Sequence, residues 1–282
     1  MTFLESVRAH RDSGTALLAT NFYNAETLLA VLNAAAQTGS EIILQTSPST
    51  LDYLGVPLAA AMAKAAAAEK RVQAWLHLDH ATDLHLIRRC IAVGYDSVMI
   101  DASEKDFATN VWLTRQVVEE AHRAGVAVEA ELGYIPKLGQ SDADEPGMTT
   151  PEQAQRFVEQ TGVDLLAVAI GNAHGFYKRA PALDLERLEA IRQAVDRPLV
   201  LHGGSGLSPA QWQATIQRGI AKINFATEIK DTFVRTVKEA LCDSDEIDLR
   251  KTFPKGMEAV SRLVAEKIRV CQRIAPPQAT TG

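Results

Sequence analysis

Cysteine is scarce: Cys90, Cys242 and Cys271 are too few and too far apart for a disulfide framework or a zinc knuckle. They read as reduced thiols. Basic charge is also in deficit, with 29 Lys and Arg against 35 Asp and Glu, a net charge of −6. Such a chain offers no basic face to a polyanion, so nucleic acid is not expected as a partner. Long apolar runs are missing too. The longest, around residues 59–68, is alanine-rich and interrupted by Lys64, too short to span a bilayer, so no membrane partner is expected. The opening MTFLESVRAHRDSG carries no signal-peptide core, which makes the expected location cytoplasmic. No linker, charge block or short repeat interrupts the chain before PPQATTG. The expectation is therefore one domain over residues 1–275, with 276–282 as a frayed tail. What is present, 46% hydrophobic and 23% charged residues, is an ordinary globular composition at a length one α/β barrel fills.

One alternation recurs along the chain. Short apolar or β-branched runs stand at 16–19, 41–44, 72–78, 97–100, 126–130, 165–170, 199–201 and 221–225. Between them lie amphipathic stretches of helical length, such as 25–37, 83–93, 110–124, 151–160 and 185–195. Gly39, Gly94, Gly125 and Gly162 follow helical patterns as stop signals, and Thr150-Pro151 is an N-cap followed by proline at the first helical position. Eight strand–helix units in this order predict a parallel sheet closed as a (β/α)8 TIM barrel. The alternative, an open doubly wound sheet, would carry a glycine-rich fingerprint after its first strand, and none is there. Residues 256–271 repeat apolar side chains at helical spacing and predict an added C-terminal helix, packed on the barrel or on a second subunit. Residues 243–254 before it read as polar and irregular.

In such a barrel the chemistry gathers at the C-terminal ends of the strands. The residues just after the apolar runs are Asn21, Ser47, Asp79, His80, Asp101, Ser103, Glu131, Gly171, His174, Gly175, the run His202-Gly203-Gly204-Ser205-Gly206, and Asn224 with Thr227. Three of the seven histidines therefore fall at the barrel mouth. His10, His85 and His122 fall on helices, and His77 lies inside the third strand as a supporting core residue. Three imidazoles at one mouth suit a zinc ion with an open coordination position, although a single such histidine would as readily hydrogen-bond a loop. Asp101 and Glu131 read either as partners of the ligands or as a second metal site. Asp101 has a further reading in a loop whose Ser103 caps the next helix with Asp106 in the capping box. Gly203, Gly204 and Ser205, with Asn224, Ala226 and Thr227 after the next strand, place backbone amides and hydroxyls where this architecture binds phosphate. A helix starting near Thr227 would add its positive end. Metal, carboxylic acid and phosphate cradle together suggest aldol chemistry on a phosphorylated ketose.

The segments LHLDHATDLHLIRRCIAVGYDSVMIDAS, VEAELG, GVDLLAVAIGNAHGFY, LVLHGGSGL and KINFATEIK resemble the class II fructose- and tagatose-bisphosphate aldolases, from about Asn21 to the tail. The resemblance implies a zinc-dependent aldolase, a homodimer or homotetramer, cleaving a ketose 1-phosphate or 1,6-bisphosphate to dihydroxyacetone phosphate and an aldehyde. It implies His80, His174 and His202 as zinc ligands and Asp79 as the acid/base at the substrate hydroxyl. Gly175, Gly203, Gly204, Ser205, Asn224, Ala226 and Thr227 match the positions that hold the dihydroxyacetone phosphate portion. Asp101 and Glu131 match carboxylates near the metal. A monovalent cation, Na+ or K+, accompanies the phosphate in several members.

The chain departs from the family pattern after Glu131. Two glycines followed by acidic residues are usual, whereas here Pro136 and Lys137 replace the small pair and Gly139 falls where a glutamate is expected to act as base. Asp142, Asp144 and Glu145 follow within the same acidic loop, and the base stays unassigned. The departure points to the aldehyde half of the substrate, which would face Asn21, Ser47 and Lys137. Lys137, stiffened by Pro136, is either a solvated surface lysine or a point charge for a terminal anion. Three other readings compete. A barrel metal hydrolase would begin with an HxH pair on its first strand, where this chain has Asn21-Phe22-Tyr23. A non-catalytic barrel subunit of an aldolase complex would have no need of Asp79 and all three histidines. A Schiff-base aldolase would need a lysine in the sixth strand, which has none, or Lys222 in the eighth with a supporting carboxylate, and no carboxylate is spaced for it.

Overall fold

Eight parallel strands close in chain order: β1 (Leu17–Asn21), β2 (Ile42–Thr46), β3 (Ala74–Ala81), β4 (Ser97–Ile100), β5 (Ala127–Leu132), β6 (Leu165–Val168), β7 (Leu199–Leu201) and β8 (Ile220–Phe225). β8 pairs back to β1, so the predicted (β/α)8 barrel is the fold. The helices are α1 (Phe3–Ser13), α2 (Ala25–Thr38), α3 (Pro48–Leu54), α4 (Val56–Lys70), α5 (Leu84–Ala92), α6 (Phe107–Arg123), α7 (Pro151–Thr161), α8 (Leu185–Ala194), α9 (Pro209–Ile216), α10 (Thr227–Cys242) and α11 (Leu249–Gln272). This computed structural model describes residues 1–135, 147–177, 181–242 and 244–273. No described helix is long and apolar enough to cross a membrane.

Local chemistry starts and stops the helices, at Thr150, Gly39 and Gly162 as the sequence predicts. Asn24, Thr150 and Ser208 form capping boxes, the latter two with proline in the first turn, and Gly39 and Gly162 end α2 and α7 in the left-handed region. Two expectations are corrected. The N-cap of α6 is Asp106, which accepts from the Thr109 amide, while Ser103 donates to Asp101 instead. α11 begins at Leu249, capped by Asp248, and runs through Pro254, so much of the stretch read as irregular is helix. Proline loses one backbone bond there. The buried face of Gly256, Val260, Val264, Ile268 and Cys271, packed on α2 and α10, outweighs that loss.

The barrel interior is graded from apolar to polar. At its N-terminal end Leu17, Ala19, Ile43, Trp75, Leu165 and Val200 form a layer closed by Phe3 and Val7 of α1. Phe3 meets Trp75 edge-on with ring centroids 6.1 Å apart. A second, larger layer between strands and helices buries Phe157, Trp212 and Phe225, and each such side chain contributes about 1.5–3 kcal/mol. Further up the interior, Gln45, His77, Glu129 and Lys222 are fully buried, and Asn21, Asp79, Glu131, His202 and Asn224 lie at the strand ends. β1, β3 and β5 run past the ends of their apolar runs because their last turns are built from these polar residues.

Candidate active site

Neighbouring residues on a strand normally face opposite sides, yet Asp79 and His80 line the same pocket. The pairing of β3 with β4 slips between Leu78 and Ala81, and His80 adopts φ +50. A bulge of this kind re-aims a side chain at local backbone cost. It turns both functional groups toward the mouth.

Each of two imidazoles is held from behind by a carboxylate. His80 Nδ1 lies 2.7 Å from Asp101 Oδ2, and His202 Nε2 lies 2.9 Å from Glu129 Oε1. A carboxylate accepts, so each ring carries its proton on that side, leaving His80 Nε2 and His202 Nδ1 to face each other at 2.9 Å. Two lone pairs repel at this distance unless a proton or a cation stands between them. Burial works against charge on His80, but Asp79, the Asp101 hydrogen bond and Glu131 outweigh it and raise its pKa to about 9. In the metal-free protein a proton therefore fills the gap. Burial pushes Asp101 up, and its bonds to His80 and Ser103 bring it well below the ordinary carboxylate range.

His174 completes the group, its ring centroid 4.8 Å from that of His80 and 5.8 Å from that of His202. Glu131 sends Oε2 to within 3.3 Å of His202 Nδ1, and this buried oxygen has no hydrogen-bond partner among the described residues. Burial pushes the Glu131 carboxyl up to about 8. One ligand atom each from His80, Glu131, His174 and His202 fall within 4.8 Å of one another. The facing lone pairs and the orphaned oxygen fit a divalent ion that accepts nitrogen and oxygen, as zinc does.

Beneath this group lies a buried ion pair that the sequence reading missed. Lys222 Nζ stands 2.9 Å from Glu129 Oε2, so Lys222 does have a carboxylate, supplied across the barrel by β5. Sequence spacing along β8 contains no hint of it. His77, as expected, is a core residue: Nδ1 meets Ser97 Oγ at 3.0 Å, and burial with the nearby Lys222 charge pushes its pKa well down.

At the other end of the pocket, the loops after β6, β7 and β8 are pressed together. Gly203 has φ +67, and a Cβ there would lie 2.1 Å from the Ala173 carbonyl oxygen. The Gly204 amide donates to the Asn224 carbonyl at 3.0 Å. Ser205 Oγ accepts from the Thr227 amide at 3.2 Å, at the start of α10. Asn172 Nδ2 donates to the His202 carbonyl, and the Tyr177 hydroxyl accepts from Ala173 N and donates to Gly203 O. Asn21, Asp79, His80, His174, Gly175, Gly203, Ser205, Asn224, Ala226 and Thr227 line one pocket.

The chain matches the family of class II fructose-bisphosphate aldolases over residues 1–274. It belongs to that family. The YdjI aldolase from Escherichia coli K12 is 33% identical, with 96% of each chain covered and a TM-score of 0.84. A candidate fructose-1,6-biphosphate aldolase from Coccidioides immitis is 31% identical, with 96% of each chain covered and a TM-score of 0.87. Fructose-bisphosphate aldolase from Campylobacter jejuni, at 22% identity, shares the fold: 95% of this chain and 93% of that one align with a TM-score of 0.83.

Most residues singled out from the sequence of this class II aldolase meet at one mouth. Gly204 sits behind the pocket, and Asp101 and Glu131 back or join the imidazole cluster. Ser47 instead caps α3, accepting from the Thr50 amide at 3.4 Å, and is not among the lining residues. Lys137 lies outside the described residues, as do Pro136, Gly139, Asp142, Asp144 and Glu145. His10 bonds Thr15, His122 bonds Asp164, and His85 is exposed on α5, so none of the three belongs to the site. Glu129, Asn172, Tyr177 and Lys222 were not singled out as site residues. The one available signal was charge or amide inside otherwise apolar strands and in GNAHGFY.

Proposed function

We propose that this class II aldolase is a zinc-dependent aldehyde-lyase that reversibly cleaves a ketose 1-phosphate or 1,6-bisphosphate to dihydroxyacetone phosphate and an aldehyde. The observation that carries the reading is the 2.9 Å approach of His80 Nε2 and His202 Nδ1, each imidazole backed by its own carboxylate. His80, His174 and His202 would hold the zinc, with Glu131 within reach as a further ligand. When bound, zinc supplies a Lewis acid that polarises the ketose carbonyl. Asp79 is buried at the pocket wall, with Oδ1 accepting from Asn224 Nδ2 at 3.1 Å, and so is aimed before substrate arrives. It takes the proton of the C4 hydroxyl as the C3–C4 bond breaks. C4 becomes the aldehyde carbonyl, the electron pair stays on the three-carbon phosphate fragment, and C3 then takes up a proton.

Gly175, Gly203, Ser205, Ala226 and Thr227 surround the place for the phosphate, and the start of α10 adds partial positive charge. Gly204 lets the loop lie close, and Asn224 orients Asp79. Na+ or K+ on backbone carbonyls beside the phosphate, a homodimer or homotetramer, one domain over residues 1–275 and a cytoplasmic setting complete the proposal. Asn21 lines the pocket and is proposed to face the aldehyde half, where Lys137 is proposed to select a terminal anion. The test is elemental analysis of the purified protein with a panel of ketose phosphates scored for dihydroxyacetone phosphate release. Full activity in metal-free protein, or no release from any ketose phosphate, overturns the reading.

A further inference from the structure

Lys222 is fully buried and makes contacts that a simple ion pair with Glu129 does not explain. Its ammonium also donates to Asn224 Oδ1 at 2.8 Å. The route inward is a register slip: Leu199 pairs with Ile220 but Val200 pairs with Lys222, so Ala221 is passed over. Exchanging a buried ion pair for apolar side chains is often neutral for stability. Its use is better sought in what it orients.

The oxygen and nitrogen of an asparagine amide occupy nearly the same space, so neighbours decide which points where. On one side of Asn224 stands an ammonium, which only donates. On the other stands the Asp79 carboxylate, which only accepts, 3.1 Å from Asn224 Nδ2. His202 Nε2 is equally near at 3.1 Å, but its proton goes to Glu129, so it does not compete for the amide hydrogen. Turning the amide over would set NH2 against the ammonium and C=O against the carboxylate. We propose that Lys222 is a positioning residue: by fixing the Asn224 amide it aims Asp79 at the hydroxyl whose proton moves.

The consequence for turnover rests on the aldolase reading; the orientation of Asn224 does not. Lys222→Met alone would strand the buried Glu129 charge, so the variant to use is Lys222→Met with Glu129→Gln, which keeps an oxygen for His202 to donate to. The first readout is the Asn224 side-chain amide in 15N-labelled, zinc-loaded protein, assigned by its loss in Asn224→Ala. Wild type should hold these protons in slow exchange, and the double variant should shift them and speed their exchange about tenfold or more. Unchanged signals overturn the proposal, whether or not any ketose is cleaved. The second readout is a double-mutant cycle in kcat. Paired replacement, assayed at saturating zinc because Glu129 also backs His202, should lower kcat by about 10–100-fold, the usual range for residues that orient a site, with KM kept. On the Asn224→Ala background the same replacement should change kcat by about twofold at most. Equal losses on both backgrounds would return Lys222 to a structural role.

Discussion

Asp101 and His80 are joined by one hydrogen bond, Oδ2 to Nδ1 at 2.7 Å, and that bond decides which nitrogen of the ring faces the pocket. Asp101 is itself held by the amide and hydroxyl of Ser103. Removing the carboxylate frees the ring to turn and to change tautomer. Asp101→Ala should therefore bind zinc about 10–100-fold more weakly while folding normally. Chelator competition measures it, and unchanged affinity would show that the ring is fixed by something else.

The proton between His80 and His202 sets a pH dependence. His80 is raised to about 9, so in metal-free protein it holds that proton at every lower pH, and an incoming ion has to displace it. Apparent zinc affinity should rise about tenfold per pH unit up to about 9 and then level off. Glu131, pushed up to about 8 by burial, adds a second released proton below that pH if it too ligates. The sign for stability is opposite. A raised histidine stabilises the metal-free fold fully below its ordinary value of about 6.5, and this is lost as pH rises through about 9. Calorimetry in buffers of different ionisation enthalpy counts the protons. A pH-independent affinity would mean that the two lone pairs already face each other without one.

Replacing Asp79 tests its proposed role in proton transfer apart from metal binding. It lies 3.9 Å from His80 Nε2, against 2.9 Å for His202 Nδ1, and is oriented by Asn224. Asp79→Asn should keep its zinc and lose about 10²–10⁴-fold in kcat, the range for a general acid–base group. Loss of zinc in this variant would make Asp79 a ligand.

What the sequence showed and what it hid follow one physical division. Contacts made along the chain are legible: the Thr150-Pro151 cap and the Gly39 and Gly162 stops each act within a few residues. Apolar runs located all eight strands, because their outward faces meet helices. The same criterion ended β3 and β5 early, since Asp79, His80 and Glu131, which lie at the ends of these strands, are polar. The pairing of Lys222 with Glu129 spans the barrel and has no local signature, and the bulge that turns His80 beside Asp79 shows only in the strand register. α11 ran opposite to local propensity, because Pro254 is overruled by a buried face formed further along the same helix.

Gly203 and Gly14 provide a matched pair for the close approach of the loops after β6 and β7. Both have φ +67, but a Cβ on Gly14 meets nothing within 4 Å, whereas one on Gly203 would sit 2.1 Å from the Ala173 carbonyl oxygen. Alanine at either site carries the left-handed cost, about 1–2 kcal/mol. At Gly203 the carbonyl is not free to retreat, because the Tyr177 hydroxyl ties Ala173 N to Gly203 O. Gly203→Ala should therefore lose clearly more than Gly14→Ala, by a further 1–3 kcal/mol or so, as overpacking does elsewhere. It should also weaken zinc binding, since Gly203 follows His202 directly and the same loops carry His174. Urea unfolding of the two variants gives the difference, and equal losses would show that the loop after β6 yields without cost.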